Sequence, residues 1–88
     1  PNPFADSVRI FIDPAAGRFN YVSIFNIAGE KIWEKVNSHP VSADSLREWT
    51  MIAWNGRNHQ GQTAAAGVYL AVVRTDRQEV ILKLLKTN

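Results

Sequence analysis

The residues with chemistry to offer are few. His39 and His59 stand twenty positions apart, each within a stretch of turn-forming residues. Zinc needs three or four converging ligands. The chain has no cysteine and neither histidine has a metal-ligand spacing, so both read as solvated loop residues. His39, Ser42, Asp44 and Ser45 supply the residue types of a nucleophilic triad. A triad depends on braced geometry and an oxyanion hole, whereas these four fall within seven residues of one loop. Ser45-Leu46-Arg47-Glu48 explains the same letters as a capping box at a short helical turn. The run Asn55-Gly56-Arg57-Asn58-His59-Gln60-Gly61 carries side-chain oxygens and glycines in an order that faintly echoes a calcium loop, without a carboxylate. Calcium sites gather several carboxylates. The run therefore reads as a turn in which the Asn side chains satisfy backbone donors and Arg57 reaches a carbonyl or an acidic neighbour. No cofactor, metal or catalytic site is expected, and the chain does not read as an enzyme.

Trp33, Trp49 and Trp54, with two Tyr and four Phe, raise a different chemistry, because exposed aromatics stack on sugar rings. A small core without disulfides also needs large side chains, each burying some 150 to 250 Å². Trp54, just before the Asn55-Gly56 turn, is expected in the core with Tyr69. Trp33, flanked by Lys31 and Lys35, and Trp49 are the candidates for an exposed contact.

The elements that must position these residues are strands. Val8, Ile10 and Ile12 alternate with Arg9 and Phe11, which gives a strand with one apolar face. Asp13-Pro14-Ala15-Ala16-Gly17 then turns the chain. Further strands are expected over Phe19 to Ile27, Lys31 to Val36, Trp49 to Trp54, Gly67 to Arg74 and Glu79 to Leu85. The nearly continuous apolar run from Val68 to Val73 suits the middle of a sheet. His39-Pro40 opposes a central strand, so Asn37 to Glu48 reads as a loop with one helical turn, or as the place of a seventh strand near Val41. Six or seven short strands punctuated by turns predict an all-β sandwich of two antiparallel sheets.

Eighty-eight residues suffice for one such domain. A net charge of +2 without runs of either sign gives no reason to expect a nucleic-acid partner, and no apolar stretch approaches the roughly 18 residues of a membrane helix. The chain opens at Pro1 without an initiator Met and reads as a module cut from a longer protein. Its last strand runs into Lys86-Thr87-Asn88 without a linker, which reads as a C-terminus.

Taken in order, several segments resemble the FlgD-type Ig-like domain over almost the whole chain. They are Asn2-Pro3-Phe4, Ile24-Phe25-Asn26-Ile27-Ala28-Gly29, Trp54-Asn55-Gly56-Arg57-Asn58 with Gly61, Gly67-Val68-Tyr69 and Lys83-Leu84-Leu85-Lys86. The family usually has Asp where Asn26, Asn55 and Asn58 stand, and the segment around Pro40 to Glu48 is longer than its pattern. The resemblance implies an Ig-like sandwich without catalysis, as in the flagellar hook-capping scaffold and in terminal modules of large secreted or surface bacterial proteins. The related C-terminal domains of type IX secretion cargo share the opening Asn-Pro, the Gly-Val-Tyr strand and the basic, apolar end.

The expected function is a non-catalytic structural or assembly module at the C-terminus of a secreted or cell-surface bacterial protein. The rivals are a type IX-like secretion, sorting and surface-attachment domain and a carbohydrate-binding accessory module. Expected partners are neighbouring domains of the parent chain or surface and secretion machinery, with self-assembly through an edge strand. The last strand is the expected edge, offering Val80, Leu82 and Lys83, with Lys86 placed outside the core as a sorting contact.

Overall fold

The computed structural model describes residues 3–37 and 49–87. β1 (Val8–Ile12) buries Val8, Ile10 and Ile12 and exposes Arg9 and Phe11, as strict alternation dictates. Asp13 caps the following 3-10 turn (Pro14–Ala16) by accepting the Ala15 N–H at 2.8 Å. β2 (Phe19–Asn26) stops one residue short of the expected Ile27, because the Asn26 side chain takes over the next turn's donors. β3 (Lys31–Val36), β4 (Thr50–Trp54), β5 (Gly67–Thr75) and β6 (Glu79–Lys86) complete the described strands.

All described pairings between strands are antiparallel and form two sheets, β1-β4 and β3-β2-β5-β6. This is the expected sandwich, with β5 inside its sheet. The loop and helical turn expected before Trp49, the seventh strand near Val41, and His39, Ser42, Asp44 and Ser45 lie outside the described residues.

The core is the space between the sheets. Val22 and Ile24 on β2, Tyr69, Ala71 and Val73 on β5 and Leu84 on β6 meet Val8, Ile10, Ile12, Ile52 and Trp54 from β1 and β4. Two irregularities adjust which side chains face it. Phe19 pairs with Thr75 and Tyr21 with Arg74, so Asn20 is an extra residue on β2. That shift brings odd-numbered Phe19 to the same face as even-numbered Val22 and Ile24. On β3, Trp33 pairs with Ile24 and Lys31 with Phe25, which makes Ile32 the extra residue. Both Ile32 and Trp33 consequently pack against the core.

The bulge corrects one expectation. Trp33 is not an exposed platform on a lysine-flanked face. Its strand partner Ile24 points inward, so Trp33 does too, with its ring 6.5 Å from that of Trp54. A second correction concerns Lys86, which is 5% exposed. β6 continues one residue beyond Leu85, and Lys86 falls on the inward parity of Leu82 and Leu84.

On the outer face of the larger sheet, the Ser23 hydroxyl donates to Glu34 Oε2 at 2.6 Å and Lys31 Nζ donates to the same oxygen at 3.1 Å. Ser23 first, then Lys31, holds the Glu34 carboxyl below its ordinary value of 4.5. A depressed folded-state value favours the carboxylate in the folded protein. The resulting stability is present above the unfolded value and is lost as pH falls through the folded one. Ser23→Ala is therefore expected to lose stability near neutral pH and to show a shallower acid decline, measured by urea unfolding between about pH 6 and pH 3. Parallel curves for the two proteins would count against this coupling.

Candidate functional site

The segment between β4 and β5 gathers most of the residues singled out in the sequence, and Trp54 is its root. Trp54 has no exposed surface, and its ring lies edge-on to Phe4 at 5.7 Å and to Tyr69 at 5.4 Å. Its indole Nε1 donates to the Arg57 carbonyl at 2.9 Å, which ties the loop above to the core below. The Tyr69 hydroxyl donates to the Ala65 carbonyl at 2.6 Å and fixes the loop's return, while burial pushes the Tyr69 hydroxyl's pKa up.

Each loop residue then has a structural task. Asn55 Oδ1 accepts the Arg57 N–H at 3.1 Å. Gly56 takes φ +73° with its carbonyl accepting from Ala64 N–H at 2.8 Å, so the loop closes on itself through an Arg57–Thr63 bridge. Arg57 Nη1 donates to the Gly61 carbonyl at 2.8 Å. Asn58 Oδ1 accepts from the N–H groups of Gln60 at 2.9 Å and Gln62 at 3.0 Å. The oxygens that echoed a calcium loop are thus acceptors for backbone hydrogens. His59 is exposed at the tip, its N–H donating to the Ile32 carbonyl at 3.1 Å. Gly67 opens β5 opposite Lys86.

One feature escaped the sequence reading. Asn26-Ile27-Ala28-Gly29-Glu30 and Asn58-His59-Gln60-Gly61-Gln62 are the same turn. In both, the Asn side-chain oxygen accepts the N–H groups two and four residues on, and the Asn carbonyl accepts the glycine N–H. In both, the Asn Nδ2 donates to the side chain four residues on, Glu30 or Gln62. Gly29 and Gly61 hold φ +84° and +81°. The signal was an Asn followed by Gly at the third position and Glu or Gln at the fourth. One turn joins β2 to β3 and the other forms the tip of the long loop.

The remaining candidates are spread over the molecule. Trp49 is 62% exposed and, of the tryptophans singled out, is the one available for an external contact. It borders a groove of about 230 Å³ between β1 and β6, walled also by Ile10, Ile12, Val80 and Leu82. Val80 and Leu82 therefore turn toward the groove, while Lys83 is on the outer face. β6 is the outermost strand of its sheet, as expected, but its end is already covered among the described residues. Phe4 forms a parallel bridge with Lys86, with Phe4 N–H donating to the Leu85 carbonyl at 3.0 Å and Thr87 N–H to the Phe4 carbonyl at 2.7 Å.

No protein-family model and no curated protein matches the chain. Among solved structures, it is similar to the dimeric latent PorU from Porphyromonas gingivalis, with a TM-score of 0.71 and 22% sequence identity. The likeness covers 99% of this chain and 9% of that one, so the chain spans about a tenth of the length of the structure it matches. At this identity the likeness speaks for the fold alone.

Proposed function

We propose that the chain is a non-catalytic Ig-like module serving a structural or assembly role at the C-terminus of a longer secreted or cell-surface bacterial protein. The observation that carries this reading is the span of the structural likeness: nearly the whole chain superposes on a small stretch of a much longer one. A fold that recurs as a part of a large chain suits a module whose work is done through its neighbours. The loop geometry agrees, since the side chains of Asn55, Arg57 and Asn58 spend hydrogen bonds on holding the loop to the sandwich.

The second reading is a type IX-like secretion, sorting and surface-attachment domain. The fold likeness to a stretch of PorU supports it, as does the sequence resemblance of the Gly-Val-Tyr strand and basic terminal strand to type IX cargo domains. Substitutions at Lys86 cannot separate the two readings, because a buried residue affects folding as well as recognition. Ile81 and Leu85 are better probes: both are exposed on the outer face of β6. In the parent protein, Ile81→Ser and Leu85→Ser together are expected to leave secretion unchanged and to move the melting temperature by only a few degrees. Secretion lost with stability intact would replace the structural reading with the sorting one.

A further inference from the structure

Lys86 is 5% exposed as a residue, yet no buried side-chain nitrogen among the described residues lacks a partner, so its stem is covered while its ammonium reaches the surface. The ion pairs among the described residues join Arg18 to Asp76, Lys31 to Glu34 and Arg74 to Glu79, and none includes Lys86. A lysine commonly buries its stem in this way and keeps its charged end in water, and none of the ion pairs above takes that end up. The route of the side chain is also built: its stem passes over Gly56, close enough that a Cβ there would stand 2.9 Å from Lys86 Cε. A side chain led along such a path has a destination.

That destination is a pocket of about 620 Å³ lined by Lys86, Arg57, Asn55, Thr63 and Asp6, with alanines between them. Arg57 uses Nη1 on the Gly61 carbonyl and keeps further guanidinium donors. Asn55 uses its Oδ1 on the Arg57 N–H, which leaves its amide hydrogens, and Thr63 adds a hydroxyl. The frame is tied to the core by the Trp54–Arg57 hydrogen bond and closed by that between Ala64 and Gly56. Lys86 and Arg57 against Asp6 leave one net positive charge, which suits a monoanion better than a phosphate dianion.

We propose that this pocket binds a single carboxylate group, with the Lys86 ammonium as the charge that meets it and Arg57, Asn55 and Thr63 as rim donors. The carboxylate could come from a peptide of a neighbouring chain or domain, or from a uronic acid of a surface glycan; the inference does not depend on the module reading above. The test titrates the isotopically labelled 88-residue chain with N-acetylglycine, with its neutral amide and with methyl glucuronide, following the backbone amides of Gly56, Arg57, Thr63 and Ala64 by NMR. Saturable shifts are expected with at least one carboxylate, absent with the neutral amide, and which carboxylate saturates identifies the source. Lys86→Met keeps the stem's length while removing the charge. It is expected to weaken binding by about tenfold or more, and its melting temperature, read beside the parent's, separates lost binding from lost folding. Should that variant fail to fold, Arg57→Gln serves, with a severalfold loss of affinity expected. Equal shifts with the neutral amide, no saturation with either carboxylate, or undiminished binding in a folded variant would overturn the proposal.

Discussion

Replacing Trp54 with alanine is expected to leave most of the chain unfolded at room temperature. The side chain is fully buried, touches the rings of Phe4, Trp33 and Tyr69, and donates the one indole hydrogen to the Arg57 carbonyl. Truncating a large buried aromatic costs about 3 to 5 kcal/mol, because transfer energy is lost and a cavity remains. Domains as a class hold only about 5 to 15 kcal/mol in total, and small ones without disulfides sit at the low end. Trp54→Phe separates packing from hydrogen bonding: it retains much of the ring volume and leaves the Arg57 carbonyl without its indole donor. An intermediate loss of about 1 to 3 kcal/mol is expected from the unmade bond and imperfect fill. Thermal and urea unfolding measure both. An alanine variant melting within a few degrees of the parent would show that the loop and core are held by something else.

The second large effect is expected at Gly56. Any side chain there faces two penalties, a left-handed backbone at φ +73° and a Cβ 3.1 Å from the Asp6 carbonyl oxygen as well as 2.9 Å from Lys86 Cε. The lysine stem can move aside, whereas the Asp6 carbonyl belongs to the backbone and can move only with the chain. Gly56→Ala is expected to cost about 2 to 3 kcal/mol. Gly29 and Gly61 supply the control: they share the positive φ, but a Cβ would meet nothing within 4 Å. Alanine at either should cost only the backbone term, about 1 to 2 kcal/mol. Adding Lys86→Ala to Gly56→Ala should relieve only the lysine contact. Equal losses at all three glycines in urea unfolding would show that the close approach at Gly56 carries no weight.

Much of this architecture was legible because strands announce themselves by parity. Val8, Ile10 and Ile12 needed only alternation to place them inside, and Val68 to Val73 needed only continuity to suggest a central strand. Parity fails at a bulge. Asn20 and Ile32 each insert one residue and bring Phe19 and Trp33 to the core face, and nothing local in either strand signals the insertion. Lys86 failed for another reason: a lysine near a chain's end reads as solvated unless the partner that lets it bury is known. Here that partner is Gly56, thirty residues earlier, with Asp6 on the other side. The loop fared better in outline than in detail. Asn55 and Asn58 read as turn residues from their types and spacing, whereas the identity of the 26–30 and 58–62 turns required the hydrogen bonds.

The proposed role as a passive structural module is tested most directly by exchange within the longer protein to which the proposal assigns the chain. The whole segment is replaced by an unrelated Ig-like sandwich of similar size, and the amount of the protein at the cell surface is measured beside the activity of its other domains. A structural role predicts surface levels and neighbouring activity close to those of the parent, provided the substituted sandwich folds. Loss of surface protein with a folded replacement in place would contradict it, and would mean that specific residues of this chain are read by another molecule.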